Sequence, residues 1–326
     1  MKDTPETALA HPAGTKLAAW LQLLRLPNLP TVPGDPIAGY LLAASAIGAP
    51  VTPRLALMAL VSLLLYCAGL LANDYFDLTE DRRHRPTRPL PAGLVRPRTA
   101  ITVAAVLTAL GLAAAWPAGT PAAVTALVLA GTVWGYNLGL KRLAVLGPLA
   151  MGLCRGLSLL LGAAAVAGWR PPGMAIAAAC GLTGYIAAVT TVAAGETSAG
   201  RVGPRRWLPP SALIIWGAVL YWLLLAPAPA SASAGTAAGL PAASLAVIAL
   251  GLVMLQTVRL GRQLTPRAKQ RAVGSLLAAL PVIQAALASV GYATAQSQQA
   301  LYLTLALTLG AAWPAAALLA RRFYAS

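Results

Sequence analysis

Apolar residues in this chain come in long blocks that recur along its whole length. The blocks predict ten helices, at 29–48, 54–75, 98–116, 121–138, 146–167, 174–194, 209–226, 241–258, 272–292 and 299–320. An α-helix needs about 20 apolar residues to cross the hydrocarbon core of a bilayer, and these blocks approach or reach that length. Punctuation between them is explicit: Ala49-Pro50, Trp116-Pro117-Ala118-Gly119, Arg170-Pro171-Pro172-Gly173 and the Pro/Ala/Ser stretch 226–241. Ala and Gly dominate the block interiors, and small side chains let helix backbones approach closely in lipid. The expected fold is therefore all-α, a polytopic transmembrane bundle in which residues 1–28 form a cytosolic segment and 29–326 one membrane domain. No small-residue cleavage site follows the first block, so a removable signal peptide is not expected.

Composition agrees, since 58% of the 326 residues are hydrophobic and only 10% are charged. Soluble domains hold about 25% charged residues. The net charge of +16 would suggest nucleic acid in a soluble protein, but the basic residues here lie in short joints between blocks. Nucleic acid is accordingly not an expected partner; the lipid bilayer is. Lys and Arg gather in alternate joints: Lys2, Lys16 and Arg25; the run 82–98; Lys141 and Arg142; Arg201, Arg205 and Arg206; the stretch 259–271; and Arg321 with Arg322. Intervening joints hold only Arg54 and Arg170. The positive-inside rule places the basic joints, and with ten crossings both termini, in the cytosol, as expected of a multi-pass protein of the cell inner membrane. Cys67, Cys154 and Cys180 lie inside apolar blocks at no metal-ligand spacing and read as small packing residues.

Eight acidic residues occur in the whole chain, and four of them are Asp74, Asp77, Glu80 and Asp81. On a helix Asn73, Asp77 and Asp81 share one face at i, i+4 and i+8, with Asp74 one step round and Glu80 off that face. Like charges so placed repel one another unless a cation sits among them. A hard divalent cation such as Mg²⁺, bound by carboxylates and phosphate oxygens, meets that need. Asn73 and Asp74 follow Leu70-Leu71-Ala72 directly, near the depth at which ionisable groups become costly. Arg85 and Arg88 come next, in a loop stiffened by three prolines, and guanidinium groups grip phosphates bidentately. Lys141, behind Tyr136 and Asn137, belongs to another cytosolic joint. Arg82, Arg83, Arg96 and Arg98 read as topology signals. Arg155 lies well inside the fifth block, where an arginine should face a polar cavity or a partner. Glu196, the sole acidic residue after position 81, ends the sixth block on the same side as the Asp cluster. Asp35, in Pro33-Gly-Asp-Pro36, reads equally as a cavity residue or a helix-start residue.

The pattern Asn73-Asp74-Tyr-Phe-Asp77-Leu-Thr-Glu-Asp81, followed by Arg85-Pro-Thr-Arg88-Pro-Leu-Pro-Ala-Gly93, resembles the UbiA superfamily of intramembrane prenyltransferases. More narrowly, Arg25-Leu-Pro-Asn-Leu-Pro-Thr31 and the run from Leu146 through Arg155 to Gly162 are similar to the UbiA-like branch of ebo-type biosynthetic clusters. The resemblance implies a helical bundle, usually of nine spans, around a cavity opening at the cytosolic side. It also implies two acidic motifs holding an isoprenyl diphosphate through Mg²⁺. Carried onto this sequence, the first motif is Asn73, Asp74, Asp77 and Asp81. The second is reduced to Glu196, followed by Thr197, Ser198, Ala199 and Gly200, which is a departure from the family's D-x-x-x-D.

Three functions are compatible with these residues. One is transfer of an isoprenyl group to a small or aromatic acceptor, with Arg85, Arg88, Lys141 and Arg155 on the diphosphate and Tyr136 or Asn137 orienting a substrate. The second is internal cyclisation of the same allylic cation. The third is a non-catalytic carrier or assembly partner for a prenylated or aromatic metabolite.

Overall fold

Proline and glycine set where most helices begin and stop. The computed structural model describes residues 14–194, 200–225, 236–294 and 298–323. In chain order the helices are α1 Gly14–Leu23, α2 Gly34–Ile47, α3 Arg54–Phe76, α4 Leu78–His84, α5 Pro97–Ala115, α6 Thr120–Leu138 and α7 Leu146–Ala167. They continue as α8 Gly173–Ala193, α9 Leu208–Leu225, α10 Thr236–Leu260, α11 Pro266–Ala278, α12 Leu280–Thr294 and α13 Gln299–Phe323. Prolines occupy the first or second position of α5, α6 and α11, where the missing N–H costs nothing. Among the described residues eight helical stretches are long and apolar enough to cross a membrane: α3, α5, α6, α7, α8, α9 and α10, with α11 and α12 together as the eighth.

Two expected blocks come out differently, and a third keeps its single helix. The first, 29–48, is a 3₁₀ turn Leu26–Thr31 followed by α2. Pro30, Pro33 and Pro36 each lack the N–H that a continuous helix would need. The 14 residues of α2 span about 21 Å, short of the roughly 30 Å core. The ninth block, 272–292, divides into α11 and α12 at Ala279, just ahead of Pro281. The tenth, 299–320, lies within the single helix α13.

α7 runs through the middle of the bundle and packs against α2, α6 and α8, while α12 packs against α2, α10 and α13. Two close approaches lock α2 to α7. A Cβ on Gly39 would overlap the Leu159 carbonyl oxygen, and one on Gly162 would overlap that of Pro36. Tyr185 on α8 donates to the Leu276 carbonyl of α11 at 2.7 Å. On the outside, Ile214, Ile215, Tyr221 and Trp222 of α9 and Val247 and Ile248 of α10 are exposed, as lipid-facing residues are. Within the expected N-terminal segment, described from residue 14 on, Ala19 and Leu23 of α1 are buried in a cluster with Leu71, Ala72, Leu90 and Val95. That cluster closes the end of the bundle where the acidic residues lie.

Candidate functional site

Helix α3 delivers the acidic motif and then breaks within it. Phe76 ends the helix, Asp77 sits at the junction with φ −90° and ψ 0°, and α4 begins at Leu78. Hydrogen bonds from Asp77 N to Asn73 O (3.0 Å) and from Asp81 N to Asp77 O (2.8 Å) carry the i, i+4 register across the break. The expected shared face therefore survives, although two helices build it rather than one. Asp74 and Asp81 are buried, Asn73 and Asp77 are half-buried, and Glu80 is exposed.

Each carboxylate of the motif meets a cation from another segment. Arg25 Nη2 lies 3.7 Å from Asp74 Oδ1. Lys141 Nζ lies 2.5 Å from Asp77 Oδ1 and donates to Asn73 Oδ1 at 3.3 Å. Arg88 Nη1 pairs with Asp81 Oδ2 at 2.7 Å, and Arg85 Nη1 stands 3.7 Å from Asp81 Oδ1. The Arg85–Gly93 loop holds this geometry through turn hydrogen bonds, among them Ala92 N to Arg88 O at 2.9 Å, and closes on Gly93 in the left-handed region at φ +75°. Leu90 and Val95 bury beneath it. Tyr136, half-buried on α6, is close enough to Arg25 and Asp77 to feel both charges. Asn137 is buried, donating to the carbonyls of Gly69 (3.2 Å) and Val133 (3.0 Å), so its amide ties α6 to α3 one turn below Asn73.

Arg25 is the residue that sequence reasoning passed over as an orientation signal. It adopts φ 46° and ψ 55°, a left-handed conformation costing a non-glycine residue roughly 1–2 kcal/mol, which surrounding structure must enforce. Its place at the head of Leu-Pro-Asn-Leu-Pro was the available clue.

Arg155 corrects an expectation. Nine residues into α7, it sits about 14 Å along the axis from the helix start, in mid-membrane. Among the described residues its guanidinium contacts are with the entry to α2, not with the acidic cluster. Nε lies 2.8 Å from Asp35 Oδ2, off the hydrogen-bonding direction, and Nη2 donates to Asp35 Oδ1 (3.2 Å) and to the Thr31 carbonyl (2.8 Å). Gln284 of α12 donates to the same two oxygens, each at 2.7 Å. Asp35 is thus the partner of Arg155. Beside this network a cavity of about 40 Å³ is lined by Val32, Ser62, Tyr66, Leu129, Cys154 and Ser158, with the two serine hydroxyls 2.6 Å apart. Cys67 and Cys154 are half-buried and Cys180 is exposed, all three as thiols.

Glu196, expected to complete the acidic site, lies outside the described residues. The segment just after it pairs with the loop past α10 through Gly200 N to Leu264 O (3.0 Å) and Val202 N to Leu260 O (3.0 Å). Asn73, Asp74, Asp77 and Asp81 offer oxygen donors of the hard class that Mg²⁺ prefers, so the donor set fits that ion. Among the described residues no three His, Cys, Asp or Glu side chains converge into a metal centre; the carboxylates are turned towards their cations instead.

Comparison with known proteins gives this arrangement a family. Residues 36–280 match the UbiA prenyltransferase family. Digeranylgeranylglyceryl phosphate synthase from Thermococcus gammatolerans is 36% identical over 131 residues, covering 40% of this chain and 48% of that protein. The protein of the same name from Pyrococcus abyssi is 32% identical over 172 residues, covering 53% and 57%. The chain thus spans about half the length of the curated relatives it matches. A solved structure of digeranylgeranylglyceryl phosphate synthase in membranes superposes with a TM-score of 0.58 at 19% identity, covering 85% of this chain and 98% of that one. A UbiA homolog from Archaeoglobus fulgidus, bound to DMAPP and Mg²⁺, superposes with a TM-score of 0.52 at 16% identity, covering 81% and 98%.

Proposed function

Because the chain belongs to the UbiA prenyltransferase family, we propose that it transfers an isoprenyl group from an isoprenyl diphosphate to an acceptor, in a Mg²⁺-dependent site at the cytosolic end of the bundle. The observation that carries this reading is the convergence of Arg25, Arg85, Arg88 and Lys141, from three separate segments, on one acidic motif. A site rich in both carboxylates and cations is built for a ligand that brings its own negative charge and a divalent cation. Asn73, Asp74, Asp77 and Asp81 would hold Mg²⁺, with Glu196, which follows α8 in the sequence, as a further candidate ligand. When bound, the ion offsets charge that builds on the leaving diphosphate.

The chain's own residues do the rest. As diphosphate enters, Arg25, Arg85, Arg88 and Lys141 exchange carboxylate oxygens for phosphate oxygens, so the site supplies fixed cations where charge develops. The allylic C–O bond breaks with its electron pair on the diphosphate. An electron pair of the acceptor then forms the new bond to carbon, and the acceptor gives up a proton. Tyr136, within electrostatic reach of Arg25 and Asp77, is the proposed residue for orienting either substrate. With the donor seated, the apolar helices of the bundle would shield the cation from water, which would otherwise capture it.

The acceptor proposed is small or aromatic. The relatives named digeranylgeranylglyceryl phosphate synthase add a phosphoglycerol ether to the panel worth testing. The Leu146–Gly162 run, with Arg155 inside it, supports placement in the ebo-like branch. Purified protein in nanodiscs should release diphosphate from dimethylallyl or geranyl diphosphate when Mg²⁺ and an acceptor from that panel are supplied, and stop when the ion is chelated. Absence of both Mg²⁺-dependent donor binding and diphosphate release would overturn the proposal in favour of a carrier.

A further inference from the structure

We propose that Asp35, Arg155 and Gln284 form a membrane-buried positioning network that acts on the diphosphate site through Arg25. The inference rests on the reading of the acidic cluster as a diphosphate site.

The case starts from a backbone carbonyl. In an unbroken helix the Thr31 oxygen would accept from Asp35 N, but here Asp35 N turns to the Val32 oxygen at 3.4 Å, and the regular i, i+4 register resumes only with Ile37 N to Pro33 O at 3.2 Å. That shift takes the helical donor away from Thr31 O, which must be satisfied inside the membrane by other means. Two side chains supply it: Arg155 Nη2 at 2.8 Å from α7 and Gln284 Nε2 at 2.7 Å from α12. Both also bind Asp35 Oδ1, so one carboxylate fully enclosed by protein fixes the two donors. Gly34 belongs to the same design, because a Cβ there would overlap the Gln284 side chain.

Thr31 is the last residue of the 3₁₀ turn, and Arg25 is the residue that caps its start. The turn is internally braced by Thr31 Oγ1 to Asn28 O at 2.8 Å and Asn28 N to Arg25 O at 2.8 Å. A chain of hydrogen bonds therefore runs from the buried carboxylate, through a six-residue turn, to the backbone of Arg25. That backbone is left-handed, and such a conformation persists only where its surroundings over-determine it. Pinning the far end of the turn meets that requirement and aims the Arg25 guanidinium at Asp74. Arg155 and Gln284 are positioning residues in this account; neither contacts the diphosphate.

A double-mutant comparison separates positioning from plain structural support. In nanodiscs, Gln284→Met should raise KM for geranyl diphosphate with Mg²⁺ by about tenfold to a hundredfold, the loss expected when a hydrogen bond to a charged ligand is misplaced. In an Arg25→Ala background the same substitution should change KM by less than about twofold, since nothing remains to be aimed. Arg155→Lys should show an intermediate loss in the native background only. Amide exchange of residues 26–32 in the ligand-free protein should accelerate in Gln284→Met and Arg155→Lys. Equal losses with and without Arg25, or unchanged exchange in that turn, overturn the proposal. Asp77→Asn serves as the control: if it leaves Mg²⁺-dependent donor binding intact, the diphosphate reading itself has failed and the positioning role fails with it. If Asp77→Asn abolishes binding while Arg25→Ala does nothing, only the positioning role is overturned.

Discussion

Asp77 is the most exposed of the three motif carboxylates, with its side chain 25% accessible against 11% for Asp74 and 4% for Asp81. Its place at the helix break lets it meet an incoming ion while Asp81 stays committed to Arg88. Asp77→Asn is therefore expected to remove Mg²⁺-dependent donor binding and to lower kcat/KM by about 10²–10³-fold, the range seen when one preorganised group is lost at a reacting centre. Glu80→Gln, on the exposed side of α4, should leave turnover of geranyl diphosphate within about twofold of wild type. Equal damage from both substitutions would mean that the ligands have been misassigned. The buried pair below the site behaves differently, because neither partner can fall back on water. Arg155→Met should destabilise the fold by about 3–5 kcal/mol, as expected when a buried charge loses its partner. Adding Asp35→Asn should restore part of that loss, since the isolated carboxylate is then gone. Chemical denaturation in detergent would measure both, and a double variant less stable than Arg155→Met would count against the pair as the source of the cost.

Between elements, the decisive contact is α2 against α7, and it is made by missing atoms. A side chain on Gly162 would meet the Pro36 backbone carbonyl, which can move only if a whole helix moves. Gly162→Ala should therefore cost about 1–3 kcal/mol, an overpacking penalty. Gly251→Ala on α10, where a Cβ meets nothing within 4 Å, should be neutral or slightly stabilising in the same thermal-unfolding assay. If the two behave alike, the close approach is not what holds α2 in place. This scale also explains what sequence reading reached and missed. The blocks that became α3, α5, α6, α7 and α8 were legible because length and apolarity alone define a membrane-crossing helix. The acidic motif was legible because its spacing of four survives the break at Asp77. The first block was read as continuous because its apolar run hides what Pro30, Pro33 and Pro36 do to the hydrogen-bond ladder. Arg155 was recognised as needing a partner, yet the choice of Asp35, 120 positions away, and of Gln284, on α12, is made only when α2, α7 and α12 come together. Local pattern carries no information about such distant pairings, so sequence alone directs the intramembrane charge to the diphosphate.

For the whole molecule the question is which way the bundle faces, and its charges and helix ends answer together. α3 ends, α5 starts, α6 ends, α7 starts, α8 ends, α10 ends and α11 starts next to the stretches that carry nearly all of the Lys and Arg between residues 76 and 271. The acidic motif shares that side through α3, and Arg25 and Lys141 reach it from the same side. The opposite ends, such as the turn between α5 and α6, carry almost no charge. Basic joints resist translocation, so the site should face the cytosol, where a water-soluble short-chain diphosphate is accessible and the acceptor can arrive from either water or lipid. With the three native cysteines replaced, a membrane-impermeant maleimide applied to intact spheroplasts should label Thr120→Cys, at the start of α6, and leave Gln263→Cys, between α10 and α11, unmodified until the cells are permeabilised. Both positions are exposed in the structure, so burial does not account for a difference between them. Labelling of Gln263→Cys alone from outside would invert the bundle. It would also strand the site away from its donor, because an ionised diphosphate cannot cross the bilayer unaided, and the function proposed for this chain would then have to be given up with its orientation.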